Sequence, residues 1–126
     1  MKLLNIKARY FYNYWRVKDE DICLLEISRL KKKYEKKVHD VGFSGHHQGI
    51  SADVAAGVLG VKWLERHFTL DRTLKGTDHA ASLEPDGARR LSRDLQLLSK
   101  SLKFKKNQIL DCEILQRNKL KYVSKN

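Results

Sequence analysis

The sequence has only two cysteines and no long apolar run, and each shortage argues against a class of protein. Cys23 and Cys112 stand far apart without a C-x-x-C spacing, so neither a zinc knuckle nor a disulfide framework is indicated. No apolar run approaches the roughly 20 residues of a membrane span. The first residues also lack the small-residue cleavage site of a secretory signal. We therefore expect free thiols and a cytoplasmic protein that has no membrane partner.

Positive charge is present in excess. Lysine and arginine number 26 against 15 acidic residues, a formal net charge of +11 over 126 residues. A basic surface attracts phosphate-bearing partners, so a small nucleic-acid-binding module is one hypothesis. The lysine runs at 31–37 and 100–106 are more simply interpreted as solvated helix ends, which makes nucleic acid the less favoured partner.

Hydrophobic periodicity predicts three helices. The first is predicted from Asp19 and has an apolar stripe at helical spacing: Cys23, Ile27, Leu30 and Tyr34. In the second, Ser51 is expected to cap a small-residue helix that ends before Gly60. Pro85 suits the first turn of the third helix. Its apolar stripe consists of leucines: Leu91, Leu95, Leu98 and Leu102.

Two β-like stretches alternate with these helices, VHDVGFSGH at 38–46 and VKWLERHFT at 61–69. The resulting order of helix, strand, helix, strand and helix, without a hairpin signal, is typical of a parallel α/β sheet. Two parallel strands leave sheet edges unpaired, so we expect the chain to be part of something larger. The tail from Lys103 is predicted to be a linker or a loose end.

Both predicted strands end in histidine. In parallel α/β folds the working groups lie where strands end, so His46 and His67 could converge on one cation, with Asp78 as a third polar group. The alternative is that each histidine is a hydrogen-bonded structural residue. Surface or supporting roles are expected for the remaining three histidines: His39, His47 and His79.

Three further residues of these strands draw attention. Ser44 beside Gly45 could present a hydroxyl and backbone amides to a phosphate, although spacing alone favours a plain turn serine. Glu65 and Arg66 lie in mid-strand on opposite faces. Because a buried charge is costly unless it is paired, at least one is expected to meet a ligand, a metal-bound group or an ion-pair partner.

The sequence resembles the N-acetylneuraminate synthase (sialic acid synthase) family in three stretches: DICLLEISRLKKKY, VGFSGHHQGI and LGVKWLERHFTLDRTLKGTDHAASLEP. The similarity covers roughly residues 19–117 and follows the family's order and gaps. It implies an α/β fold over 19–103, the C-terminal fragment of a (β/α)8 TIM barrel that holds the last two β/α units and the helix before them. Residues 1–18 stay unassigned, and the basic tail at 104–126 resembles the linker to an antifreeze-like domain.

This resemblance also implies a reaction and its ligands. The family condenses phosphoenolpyruvate with N-acetylmannosamine, or its 6-phosphate, to a sialic acid with release of phosphate. The resemblance also implies a divalent metal cofactor, for which Mn2+ is the preferred candidate and Mg2+ or Co2+ are alternatives. His46 and His67 match the family's metal-binding histidines, Ser44 matches a contact to the phosphate of phosphoenolpyruvate, and Asp78 matches a contact to the amino sugar.

The earlier barrel strands of the family have no counterpart in the sequence. The resemblance therefore implies a truncated or split part of the enzyme, partnered by an N-terminal barrel fragment or by a second subunit, since the family is dimeric. Two alternatives stay open. One is the basic nucleic-acid-binding module, and the other is an inactive remnant that folds only with another chain.

Overall fold

Two short parallel strands lie at the centre of the fold. The computed structural model of the chain describes residues 18–76 and 78–120. Strand β1 is Phe43–Gly45 and strand β2 is Leu64–Arg66. They pair in parallel with Ser44 opposite Glu65, as the order of elements predicted. A single parallel bridge from Phe68 to Leu83 extends the hydrogen bonding beyond β2.

Helices precede, separate and follow the two strands. The α-helices are α1 (Glu26–Tyr34), α2 (Ser51–Val58), α3 (Pro85–Ser101) and α4 (Asp111–Leu120), with 3-10 turns at Asp19–Asp21 and His79–Ala81. Among the described residues, no helix is both long and apolar enough to cross a membrane. The structure is thus an α/β fold with a small parallel sheet.

The core joins α1 and α2 to the sheet. Ile27 of α1, Val41 before β1 and Ala56 of α2 are buried against one another. Helix α3 packs on α2, where a β-carbon at Gly57 would lie 2.8 Å from Leu98 Cδ2. The small residues of α2 therefore let its neighbours approach closely, because larger side chains would hold the helices apart.

Three local predictions need correction. The first helix begins at Glu26 and not at Asp19, because Cys23 has a φ of 46° and this left-handed residue interrupts the helical path. Ser51 is the first residue of α2, which follows Ile50 without a side-chain cap. The tail is also not a simple loose end, since α4 forms within it.

The strands, at 43–45 and 64–66, are shorter than the stretches 38–46 and 61–69 predicted for them, whereas two helix boundaries agree with the sequence. Pro85 opens α3 behind Glu84, where its missing N–H costs no hydrogen bond. Gly60 follows α2 with a φ of 82°, a conformation that favours glycine. The sequence left residues 1–18 unassigned and predicted a linker at 104–126; of these, residues 1–17 and 121–126 lie outside the described residues.

Candidate functional site

A pair of histidines lies at the carboxyl ends of the two strands. His46 follows β1 and His67 follows β2, and the register pairs the preceding residues, Gly45 and Arg66. Because the strands are parallel and in register, both imidazoles leave the same edge of the sheet. Their ring centroids are 4.9 Å apart and their planes meet at 60°. The convergence expected from the sequence is therefore present in the structure.

Ser44 and Asp78 both lie near this histidine pair. The Ser44 hydroxyl is 3.3 Å from His46 Nε2, so the two alternate residues of the extended chain share one side. Asp78 is exposed and precedes the 3-10 turn His79–Ala81. Its carboxylate is close enough to His46 to act on that imidazole electrostatically. The four residues selected from the sequence are thus gathered at one end of the sheet.

The surroundings of His46 favour its neutral form. Burial and then the neighbouring His67 imidazole lower the pKa of His46, and the carboxylates of Asp78 and Glu65 only partly oppose this. A lowered pKa leaves the imidazole uncharged at neutral pH. The neutral ring is the form that binds a metal ion through nitrogen.

The described residues offer part of a metal site and not a complete one. Within 18–76 and 78–120, no group of three or more histidine, cysteine or acidic side chains is arranged to hold a metal ion. Two half-buried imidazoles with adjacent rings still fit one side of a divalent-cation site, because histidine is a common ligand for such metals. Any further ligands would come from substrate, water or residues outside this set.

A buried ion pair lies directly behind the histidine pair. The Arg66 guanidinium contacts the Asp53 carboxylate through Nη1, and the two side chains are only 5% and 0% exposed. The same Nη1 is 3.1 Å from His47 Nε2, and His47 is itself buried. Of Glu65 and Arg66, at least one of which was expected to meet a ligand, a metal-bound group or an ion-pair partner, Arg66 is paired, and its partner is Asp53 of α2. An acidic residue in the otherwise apolar run ADVAAGV was the signal that could have identified it.

Gly45 is required by this cluster. A β-carbon at Gly45 would lie 2.8 Å from His47 Cε1, 2.9 Å from Arg66 Cδ and 3.0 Å from Asp53 Oδ1. All three groups are buried and held by one another, so none can withdraw easily. A glycine before His46 therefore lets the ion pair close under the strand end.

The loop after β2 is fixed by a second hydrogen-bonded group. The buried Thr69 hydroxyl donates to the Asp71 carbonyl at 3.0 Å and lies 2.8 Å from His79 Nδ1. Arg72 donates to the Ala80 carbonyl across the same loop. His79 thus has a supporting role behind the loop that carries Asp78. His39, by contrast, is exposed.

Comparison with known proteins gives a consistent family. The family model described as "NeuB family" matches residues 12–107. A human protein named N-acetylneuraminate-9-phosphate synthase is 46% identical over 103 residues, which is 80% of this chain and 28% of that protein. Campylobacter jejuni N,N'-diacetyllegionaminic acid synthase is 43% identical over 63 residues, 50% of this chain and 19% of that protein.

A solved structure also resembles the chain. It is N-acetylneuraminic acid (sialic acid) synthetase from Leptospira borgpetersenii in complex with citrate, with a TM-score of 0.66 and 32% sequence identity. The similarity covers 86% of this chain and 38% of that one. The chain thus spans about a fifth to two fifths of the length of these relatives.

Proposed function

The chain belongs to the NeuB family, and we propose that it forms one wall of the active site of a sialic acid synthase-type enzyme. In this proposal residues 19–103 are the last two β/α units of a (β/α)8 barrel and the helix before them. Residues 104–126 lead towards a further domain. The observation that carries the proposal is the pair of imidazoles, 4.9 Å between centroids, at the ends of two paired parallel strands.

In the proposed reaction the enol carbon of phosphoenolpyruvate forms a carbon–carbon bond with the aldehyde of N-acetylmannosamine, or of its 6-phosphate, and water then adds as phosphate leaves. A bound divalent cation, with Mn2+ as the preferred candidate, would act as a Lewis acid toward the sugar aldehyde. His46 and His67 would hold it from one side through neutral imidazole nitrogens. Their position at a strand end favours this role, because side chains there converge on the mouth of a barrel.

Ser44 and Asp78 have separate roles in the proposal. The Ser44 hydroxyl, which lies 3.3 Å from His46 Nε2, would orient the phosphate of phosphoenolpyruvate. The exposed Asp78 carboxylate would accept hydrogen bonds from hydroxyl groups of the amino sugar. These two contacts would place both substrates beside the histidine pair, which is how proximity lowers the barrier of a bimolecular step.

The first test measures metal binding by the chain itself. Titration with Mn2+ by calorimetry should give one site, and His46→Gln or His67→Gln should weaken it by about tenfold or more. His39→Gln is the matched control, because His39 is exposed and lies before β1, whereas His46 and His67 each follow a strand. A binding isotherm that is unchanged in the His46→Gln/His67→Gln double variant would refute the metal assignment.

The second test measures the reaction. The chain is co-expressed with a NeuB-family relative from which the matching stretch has been deleted, and phosphate release is followed with both substrates and Mn2+. We expect activity in the complex that is lost in the double histidine variant and retained in His39→Gln. If the folded complex has no activity with any N-acetylated sugar offered, the chain is a remnant and the catalytic proposal is wrong.

A further inference from the structure

We propose that Arg66 is a positioning residue that sets the separation of His46 and His67, an inference that rests on the function proposed above. Arg66 directly precedes His67 along the chain, but strand alternation turns its side chain to the opposite face. It is buried against α2, whereas its neighbour Glu65 is exposed. It therefore does not contact substrate, and any effect on chemistry must pass through other residues.

The guanidinium binds the loop that carries His46. Nη2 donates to the His47 carbonyl at 2.8 Å, and Nη1 donates to the Gly49 carbonyl at 2.9 Å. His47 is the residue immediately after His46. The path of the chain after β1 is thus fixed from a point on β2, one residue before His67.

The same guanidinium also binds the turn that follows Asp78. Nη2 donates to the Ala81 carbonyl at 3.1 Å, and Ala81 is the last residue of that 3-10 turn. Three segments, each bearing one of His46, His67 and Asp78, therefore meet at one side chain. A lysine has one nitrogen on a flexible stem, so only the planar fork of arginine can make this set of contacts.

Asp53 and His47 hold the fork in place. The fully buried Asp53 carboxylate contacts Nη1 and also lies 3.4 Å from His47 Nε2. A charged side chain at this depth needs such a partner, because an unpaired buried charge is strongly destabilising. Asp53 thus fixes the Arg66 guanidinium, and the hydrogen bonds of the guanidinium to backbone carbonyls fix the segments that carry His46 and His67.

The test separates positioning from stability. Arg66→Met removes the guanidinium partner of the buried Asp53 carboxylate and should lower the urea midpoint of the full chain. The double variant Asp53→Leu/Arg66→Met removes both charges, and such apolar replacement often restores stability. It cannot restore the hydrogen bonds to the carbonyls of His47, Gly49 and Ala81. The matched control is Asp86→Leu/Arg90→Met, which removes an exposed ion pair of α3.

Two readouts are made on each variant, with Arg66→Lys as a further variant that keeps the charge. The nuclear Overhauser effect between the His46 and His67 rings reports their geometry without metal or activity, and Mn2+ affinity is measured separately. In the double variant we expect the urea midpoint to return towards the wild-type value. The inter-ring effect should nevertheless be lost, and Mn2+ affinity should fall about tenfold or more. Arg66→Lys should fold and show the same losses in smaller degree.

The outcomes distinguish this inference from the proposed function. If the double variant or, should that variant not fold, Arg66→Lys keeps the inter-ring effect and wild-type Mn2+ affinity, Arg66 has only a stabilising role and the inference is wrong. A wild-type chain without the inter-ring effect also overturns it. If wild type shows the effect but binds no Mn2+, while the variants lose the effect, the positioning role stands and the metal proposal fails.

Discussion

Replacing Gly45 by alanine tests whether the buried cluster is as tightly packed as its geometry indicates. The new methyl group would lie 2.8 to 3.0 Å from atoms of His47, Arg66 and Asp53. Contacts under 3.0 Å require some atom to move. Here the nearest atoms belong to a buried ring, the middle of an arginine stem and a fully buried carboxylate, so movement must disturb the ion pair.

The expected cost follows from two opposing effects. Overpacking of a well-filled interior costs about 1–3 kcal/mol. Gly45 does not have a positive φ, so alanine also reduces the freedom of the unfolded chain, which returns about 0.4–1 kcal/mol. We therefore expect Gly45→Ala to lower the free energy of unfolding by up to about 2.5 kcal/mol in urea denaturation.

Gly87→Ala is the matched control for this measurement. Gly87 lies in the first turns of α3, and a β-carbon there would be 3.4 Å from its nearest neighbour, an ordinary contact. Alanine should raise the free energy of unfolding there by about 0.5–1 kcal/mol, because glycine is a poor helix former. If Gly45→Ala is stabilising to the same extent as Gly87→Ala, the cluster is loosely packed and the reasoning fails.

Two further predictions concern pH. In the metal-free chain, the pKa of His46 measured by NMR titration should lie below the ordinary histidine value of 6.5. His67→Gln should raise this pKa, because it removes the neighbouring imidazole, although the effect of burial remains. A wild-type pKa at or above 6.5 would contradict the prediction. Burial raises the pKa of Asp40, but hydrogen bonds from Lys62 and the Val41 amide outweigh it and lower the pKa below 3.8. The ionised Asp40 carboxylate therefore stabilises the fold above about pH 4, and this contribution is lost as the pH falls through the lowered pKa. In Lys62→Met, the urea midpoint should fall less steeply than in wild type when the pH is lowered from about 6 to about 2.5. An unchanged acid limb would show that the Lys62 ammonium does not set the pKa.

Local chemistry explains which parts of the fold the sequence could predict. Periodicity identified α3 from its leucine stripe, and the only proline marked its first residue. Periodicity failed at α1, where Cys23 matches the stripe but has a left-handed backbone that no residue pattern announces. It also failed at α4, whose apolar residues do not form a clear stripe and are exposed. Helix boundaries thus depended on backbone details that composition does not encode.

The candidate site was predicted unevenly for a related reason. His46 and His67 could be selected because a parallel sheet brings successive strand ends to one edge, which is a property of topology. The partner of Arg66 could not be chosen in the same way. Asp53 lies 13 positions earlier on a different element, and only the packing of α2 against β1 brings its carboxylate under the sheet. The sequence marks Asp53 as an unusual acidic residue in an apolar helix, but which cation it pairs with is decided by the tertiary packing.

A partner chain beside the sheet would account for two features, the exposed aromatic side chains next to β2 and the incomplete set of metal ligands. Trp63 and Phe68, on either side of β2, are 59% and 58% exposed, although large apolar side chains usually gain by burial. Both flank β2, the strand that leads to His67, and the histidine pair offers only two metal ligands among the described residues. A partner that pairs with the free edges of this sheet would cover those rings and bring its own strand ends beside His46 and His67. Burial of Trp63 and acquisition of full metal affinity should therefore occur together. The fluorescence of Trp63, measured in a Trp15→Phe variant, and Mn2+ binding should share one midpoint during titration with the NeuB-family relative that lacks the matching stretch, and separate midpoints would refute the linkage.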